Sequence, residues 1–321
     1  MDTGRPPLKP LTDWTPSQTV SLTSSIVRSS HRLGELDLFT DDALGEVLDR
    51  HPRKELQAFT LGSDPARNEW IPVDVGSASG TEILAAVRAG RLWLNVLKLD
   101  EAHTTFARLQ AELFSELARC DFGVLPGTPH ASLLISSPDA LVDYHADAGP
   151  NILWHVRGDK RVWIYPKSER FLHRSLLEDI FVGVRGETLP YDPEFDSAAH
   201  TFDVHAGDLI SWPQNAPHRV ENLGGLNVSF SCEFDTVHSR KRHLVYAANR
   251  FYSRKFHLPT RSTRESGAAS AVKCFTYRAW RKLGLERVQS GVDYVTQLRI
   301  DGASPSGVVT LADPVRAAFS A

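Results

Sequence analysis

The sequence predicts a mainly β fold with flanking helices, an antiparallel barrel or jelly roll with helical segments before and after it. Three observations carry this. From about Ala131 to Phe234 the hydrophobic period becomes that of strands, in short runs separated by Pro, Gly and Asp turns. On either side of that region, apolar residues recur at helical spacing. Finally, 321 residues with 41% hydrophobic and 23% charged side chains suit a globular chain with a sizeable core and exclude disordered and fibrous classes.

Residues 1–30 are rich in Pro, Thr and Ser without periodicity and read as an extended arm. Thr40 caps a helix over Asp41–Arg50, with Asp41 and Asp42 near the positive end of its dipole. Ser79 and Glu82 form a capping-box pattern for a second helix, which stops at Gly90. Arg91–Leu97 reads as a strand. A longer helix over Glu101–Arg119, capped by Asp100, places Phe106, Leu109, Leu113 and Leu117 on one face. The strand runs are Ala131–Ser136, Asn151–Arg157, Lys160–Tyr165, Phe202–Val204, Asp208–Trp212, Arg219–Glu221 and Leu226–Phe234, and helices return near Thr236–Phe256 and Glu265–Leu283. The expected organisation is an arm (1–30), helices and strands packing on the core (31–130), the core (131–234) and a helical C-terminal extension (235–321).

With 36 Lys and Arg against 39 Asp and Glu, no whole-chain charge excess calls for nucleic acid or an anionic membrane as partner. Residues 235–287 are the local exception, with thirteen basic and three acidic residues. They read as a solvated helix face, or as a homodimer interface using Val237, Leu244, Ala248, Phe251 and Tyr252. The first thirty residues lack a signal-peptide core and no apolar run approaches the ~18 residues of a membrane span, so the expected location is cytoplasmic. Cys120, Cys232 and Cys274 form no CxxC pair and read as buried thiols.

In Asp143-Tyr-His145-Ala-Asp147, His145 and Asp147 lie two residues apart on an extended segment and point to one side. Alone, a His-x-Asp says little. Downstream, Gly207-Asp-Leu-Ile-Ser-Trp-Pro213-Gln-Asn215-Ala-Pro-His218-Arg-Val-Glu-Asn222 resembles the second motif of the cupin superfamily, with Asn215 where a left-handed Gly is usual. The first cupin motif is visible as His145-x-Asp147-x3-Asn151-x6-Gly158, with Asp147 and Asn151 in place of a His and a Glu. Two His and one carboxylate, here His145, Asp147 and His218, form the facial set of non-haem Fe(II) oxygenases. When 2-oxoglutarate is the co-substrate, its far carboxylate needs a buried cation. Gly158-Asp159 reads as a hairpin turn, which puts Lys160 on the face of Asn151, Leu153, His155, Val162 and Ile164, with Ile152, Trp154, Val156, Trp163 and Tyr165 facing outward.

The runs YHADAGPNILWHVRGDKRVWIYP and AGDLISWPQNAPHRVENLGGLNVSFSCEF resemble the core of JmjC-type, cupin-like 2-oxoglutarate oxygenases, and within them the group containing the asparaginyl hydroxylase of hypoxia-inducible factor. The resemblance covers about Ala131–Phe234 and implies a double-stranded β-helix. It also implies iron ligands at His145, Asp147 and His218, and 2-oxoglutarate held by Lys160 and Asn151, the spacing of Lys160 from Asp147 being that of the group. O2 would convert the keto acid to succinate and CO2 while a small molecule or protein side chain is hydroxylated. Three positions depart from the group: Trp93 stands where a Tyr often reaches the co-substrate, Val142 replaces a hydroxyl residue, and Ser231 replaces an Asn on the last strand. Trp93 and Ser231 remain candidates for co-substrate contact, and Asn95, Trp93, Trp154 and Arg157, with the 168–200 insertion, are candidates for the substrate wall. His155, His205 and His130 are not expected to be ligands. The alternatives are a cupin metalloenzyme without 2-oxoglutarate, such as an isomerase or direct dioxygenase, and a ligand-sensing module whose Arg240, Lys241 and Arg242 bind nucleic acid.

Overall fold

In the computed structural model of the chain, which describes residues 10–65, 67, 69–118, 123–258, 262–284 and 293–320, ten strands form one antiparallel sheet that turns over on itself. The first part holds α1 (Pro16–Ser21), β1 (Val27–Ser30), α2 (Asp41–Arg50), β2 (Leu56–Thr60), β3 (Ile71–Pro72), α3 (Gly80–Ala89), β4 (Leu92–Val96), α4 (Leu99–Ala102) and α5 (Thr104–Leu117). Next come β5 (His130–Ser136), β6 (Leu141–His145), β7 (Asn151–Ile164), α6 (Arg174–Phe181), β8 (His200–His205), β9 (Asp208–Ser211) and β10 (His218–Glu233). They are followed by α7 (Val237–Phe256), α8 (Ala268–Lys282), β11 (Asp293–Ile300) and β12 (Val308–Ser320).

The long strands β7 and β10 pair with each other and divide the sheet into two layers. The start of β7 pairs with β9 and the end of β10 with β5, whereas the end of β7 pairs with β8 and the start of β10 with β6. One layer therefore runs β1-β9-β7-β10-β5-β4-β2-β3, and the other β8-β7-β10-β6, the arrangement of a jelly roll. Register breaks between Asn222 and Val228 mark the line where both long strands bend from one layer to the other. Gly158 lies there at φ +80°, and a Cβ on it would meet Asn227 Nδ2 at 2.7 Å. Between the layers pack Leu153, Val162, Ile164, Ile210, Trp212 and Val220. Outside the first layer, Ile152, Trp154 and Val156 join apolar residues of α2, α3 and α5; outside the second, Tyr144 and Tyr165 pack with residues of α6 and α7.

The local signals behind α2 and α3 act as read: Thr40 Oγ1 accepts from the Ala43 amide, and Ser79 and Glu82 cap reciprocally. Other expectations need correction. The arm is structured from residue 10 onward, because α1 folds there and β1 pairs with β9; residues 1–9 lie outside the described residues, as do Arg119 and Cys120. The long helix breaks at His103, and Asp100, instead of capping it, accepts from the Ala131 amide at 2.8 Å. Gly158-Asp159 is no hairpin turn. β7 continues through it without a break, as β10 continues through the expected gap between Glu221 and Leu226. The irregularity at Gly158 shifts the side-chain alternation by one residue, as a two-residue turn would, so the expected inward face survives although the connection differs. The C-terminal extension is helical only to Lys282. It ends in the antiparallel pair β11 and β12, whose Tyr294, Thr296, Leu298 and Ile300 alternate as a strand requires. Cys232 is buried and Cys274 half-buried. No helix among the described residues is long and apolar enough to cross a membrane.

Candidate active site

His145 closes β6 and His218 opens β10, and the two are cross-strand partners. This pairing brings their rings to 4.0 Å between centroids, tilted by 53°, and places Asp147, two residues past β6, against both. Asp147 Oδ1 lies 3.7 Å from each Nε2. One ion with bonds of about 2.0–2.2 Å sets its donors about 3–4 Å apart, so the three suit a common metal. Their partners support that. His145 Nδ1 donates to Asp143 O at 2.7 Å and His218 Nδ1 to Ala216 O at 3.1 Å, which turns both Nε2 lone pairs toward Asp147. Burial, followed by the neighbouring His145, lowers the pKa of His218 to about 4 and keeps it neutral. The second oxygen of Asp147 accepts from Trp212 Nε1 at 3.2 Å. Asn215, at φ +61°, donates to Asp147 O at 2.8 Å and accepts from Arg242 Nε on α7 at 2.8 Å.

These residues open on a cavity of about 400 Å³ between the layers. Lys160, 5% exposed, reaches it and has no carboxylate partner among the described residues. Its Nζ donates to Ser229 Oγ at 3.1 Å, Ser229 Oγ–H donates to His155 Nδ1 at 2.9 Å, and His155 Nε2–H donates to Gly158 O at 2.9 Å. His155 is thus a neutral brace, its pKa held well below the usual value by burial and then by Lys160. Desolvation pushes the Lys160 ammonium down to about 7. Asn151 Oδ1 accepts from Ser231 Oγ at 2.9 Å, and both residues line the cavity.

Of the residues proposed from sequence, His145, Asp147, His218, Lys160, Asn151, Ser231, Trp93 and Asn95 line one cavity. Trp93 belongs to an aromatic cluster there, 5.1 Å from Trp70 and 6.2 Å from Phe59. Trp154 and Arg157 do not line it: Trp154 is buried in the outer core, and Arg157 pairs with Asp41 at 2.8 Å. His205 pairs with Asp159, and exposed His130 lies 3.7 Å from Asp100. In the basic tail, Arg240 pairs with Asp235, and Arg242 braces Asn215.

Sequence reasoning missed Glu187, Glu233 and Tyr294. Glu187 comes from the insertion after α6, where its Oε1 accepts from the Ala148 amide at 2.8 Å. Both glutamates line the cavity and are exposed to solvent. Desolvation, followed by the charge of Asp147, raises the pKa of both above the usual carboxylate range, with Glu233 adding to the rise at Glu187. The alternation on β10 placed Glu233 on the face of Ser231; nothing local marked the other two.

Residues 87–240 match the sequence profile of the cupin-like domain family. This stretch is similar to the cupin-like domains of that family. Among solved structures, Escherichia coli YcfD superimposes with a TM-score of 0.52 at 14% identity over 88% of this chain and 70% of that one. YcfD described as a ribosomal oxygenase in complex with cobalt and 2-oxoglutarate gives 0.51 at 14% identity over 87% and 68%. At that identity the likeness establishes the shared fold. The narrower grouping with the asparaginyl hydroxylase has no support from these matches, and no curated protein matches the sequence.

Proposed function

We propose that the protein is an Fe(II)- and 2-oxoglutarate-dependent oxygenase, a hydroxylase of a small molecule or protein side chain that releases succinate and CO2. The observation that carries this is Lys160: a buried ammonium without a counter-ion, in the same cavity as a His-Asp-His set. Buried charge is costly unless paired, so the position calls for an anionic ligand. Two His and one carboxylate suit iron and leave positions open for other ligands.

His145, Asp147 and His218 would hold Fe(II), which when bound supplies O2 activation coupled to oxidative decarboxylation of the keto acid. Lys160 holds the far carboxylate of 2-oxoglutarate, and Ser229 and His155 fix the direction of its ammonium. Ser231 orients Asn151 beside it. Asp143 O and Ala216 O keep the protons of both imidazoles on Nδ1. The cobalt and 2-oxoglutarate complex of YcfD, which shares this fold, supports the same reading.

Anaerobic titration of 2-oxoglutarate into the Fe(II)-loaded protein tests it. The visible charge-transfer band of a chelated keto acid should appear, weaken in Lys160→Ala and vanish in Asp147→Ala. Bound iron with no band would favour a cupin enzyme that does not use 2-oxoglutarate.

A further inference from the structure

Besides its histidines and Tyr294, four ionisable side chains line the cavity, Asp147, Lys160, Glu187 and Glu233, and a cation arriving at the two glutamates favours their carboxylate forms. On the proposed reading, on which this inference rests, the metal neutralises Asp147 and the keto acid neutralises Lys160. Glu187 and Glu233 are left over, and neither forms an ion pair among the described residues. The same cavity carries an aromatic wall. Phe59 on β2 and Trp93 on β4 are cross-strand partners, Trp70 packs on both, and Tyr294 from β11 meets Phe59 edge-on at 5.7 Å. Aromatic faces accept apolar groups, and carboxylates in a partly desolvated cavity favour cations.

Both features adjoin the segment that carries His145 and Asp147. Val142 on β6 packs against the aromatic wall, His145 and Asp147 follow, and Ala148 donates to Glu187. We propose that the second substrate presents a cationic group on a flat or apolar body, its body on the wall that Tyr294 completes and its charge at Glu187 and Glu233. Such a molecule lies across the metal site, so the carbon that reacts is between its two ends. Tyr294 is then a specificity-determining residue supplied by the C-terminal strand pair. That pair is fixed to the stretch following Trp70 by Arg299 on Asp74 at 2.7 and 2.8 Å and by Thr296 Oγ1 on Pro72 O at 2.6 Å.

The test uses three probes that differ in charge: 4-phenylbutylamine, 4-phenylbutan-1-ol and 4-phenylbutyrate. Each is titrated anaerobically into protein loaded with Fe(II) and 2-oxoglutarate, with tryptophan fluorescence as readout, since Trp70 and Trp93 line the cavity. The amine should bind about ten-fold or more tighter than the alcohol, the scale of one charge-assisted contact. The Glu187→Gln, Glu233→Gln double variant should erase that preference, and Tyr294→Ala should weaken amine and alcohol alike. Alcohol binding as tight as the amine, a preference that survives in the double variant, or no saturable amine binding would overturn the proposal. The keto-acid band, followed in the same samples, separates the two readings. A band without amine preference defeats this inference alone, and amine preference without a band defeats the co-substrate assignment alone. In the double variant, the band also reports an intact fold.

Discussion

The Lys160 end of the cavity and the Glu187 and Glu233 end are both ionisable, but they are built differently. Lys160 is enclosed, braced through Ser229 and His155, and offered to one small anion. The two glutamates are reached by water and raised in pKa by desolvation and by the neighbouring negative charge of Asp147. The difference teaches that an enclosed, pre-oriented charge suits a co-substrate of fixed size, whereas a wetter rim of like charge suits a ligand that varies or arrives last.

Lys160→Met is the most decisive way to break this contrast. Losing a charge-assisted contact to the far carboxylate should weaken 2-oxoglutarate binding about 100-fold. The same change should stabilise the unliganded protein by about 2–4 kcal/mol, because a desolvated ammonium without a counter-ion is removed. The sign with pH follows from the depressed pKa. The folded protein releases the Lys160 proton near pH 7, while the unfolded chain keeps it to about 10.5. The penalty is therefore full below pH 7 and relieved as pH rises toward 10.5, so the stabilisation by Met should be largest in acid and shrink above neutrality. Keto-acid affinity of the natural protein should fall as pH rises past about 7. Denaturant melts and band titrations across pH check both, and a destabilised Met variant at pH 6 would refute the desolvation account.

Trp212→Phe probes the ground between the two ends. It keeps the aromatic packing against His218 but removes the donor to Asp147 Oδ2. Metal affinity, measured by competition with a chelator, should fall about ten-fold, the lower range for loss of a partner that orients a ligand. Co-substrate binding to the metal-saturated variant should be unchanged, which would confirm that the Lys160 end is independent of this contact.

How much of this was legible in the sequence depended on the range of the interactions. His145, Asp147 and His218 sit in short motifs whose spacing reflects strand geometry, and Lys160 lies on the face the alternation assigns to it. The face was right for a reason the sequence did not reveal: an irregularity at Gly158 and a hairpin turn have the same effect on parity, and only the pairing of β7 with β10 distinguishes them. The imidazole partners are backbone carbonyls, which carry no residue signature. Glu187 and Tyr294 reach the cavity by long-range packing of the insertion and of β11, and in one sequence neither stands out from ordinary surface residues. Trp154 is no wall residue, as the alternation that turns it outward already implies, and Arg157 is drawn away by Asp41, a partner 116 residues distant that strand spacing does not reveal.

The smallest expected effect concerns the wall itself. Arg299 does not line the cavity; it ties β11 to Asp74 through a two-nitrogen contact whose carboxylate is buried while the guanidinium is partly exposed. Arg299→Ala should therefore cost only about 1 kcal/mol of stability, as partly exposed pairs do. It should also let β11 shift enough to loosen Tyr294 from Phe59. The keto-acid band should be untouched, because Lys160 is braced by Ser229 and His155 on β10 and β7, while 4-phenylbutylamine binding should weaken about two- to three-fold, within the modest energy of one aromatic edge contact. If instead the variant weakened the keto acid and the amine equally, the two ends of the cavity would be mechanically coupled and the division of labour drawn between them would fail.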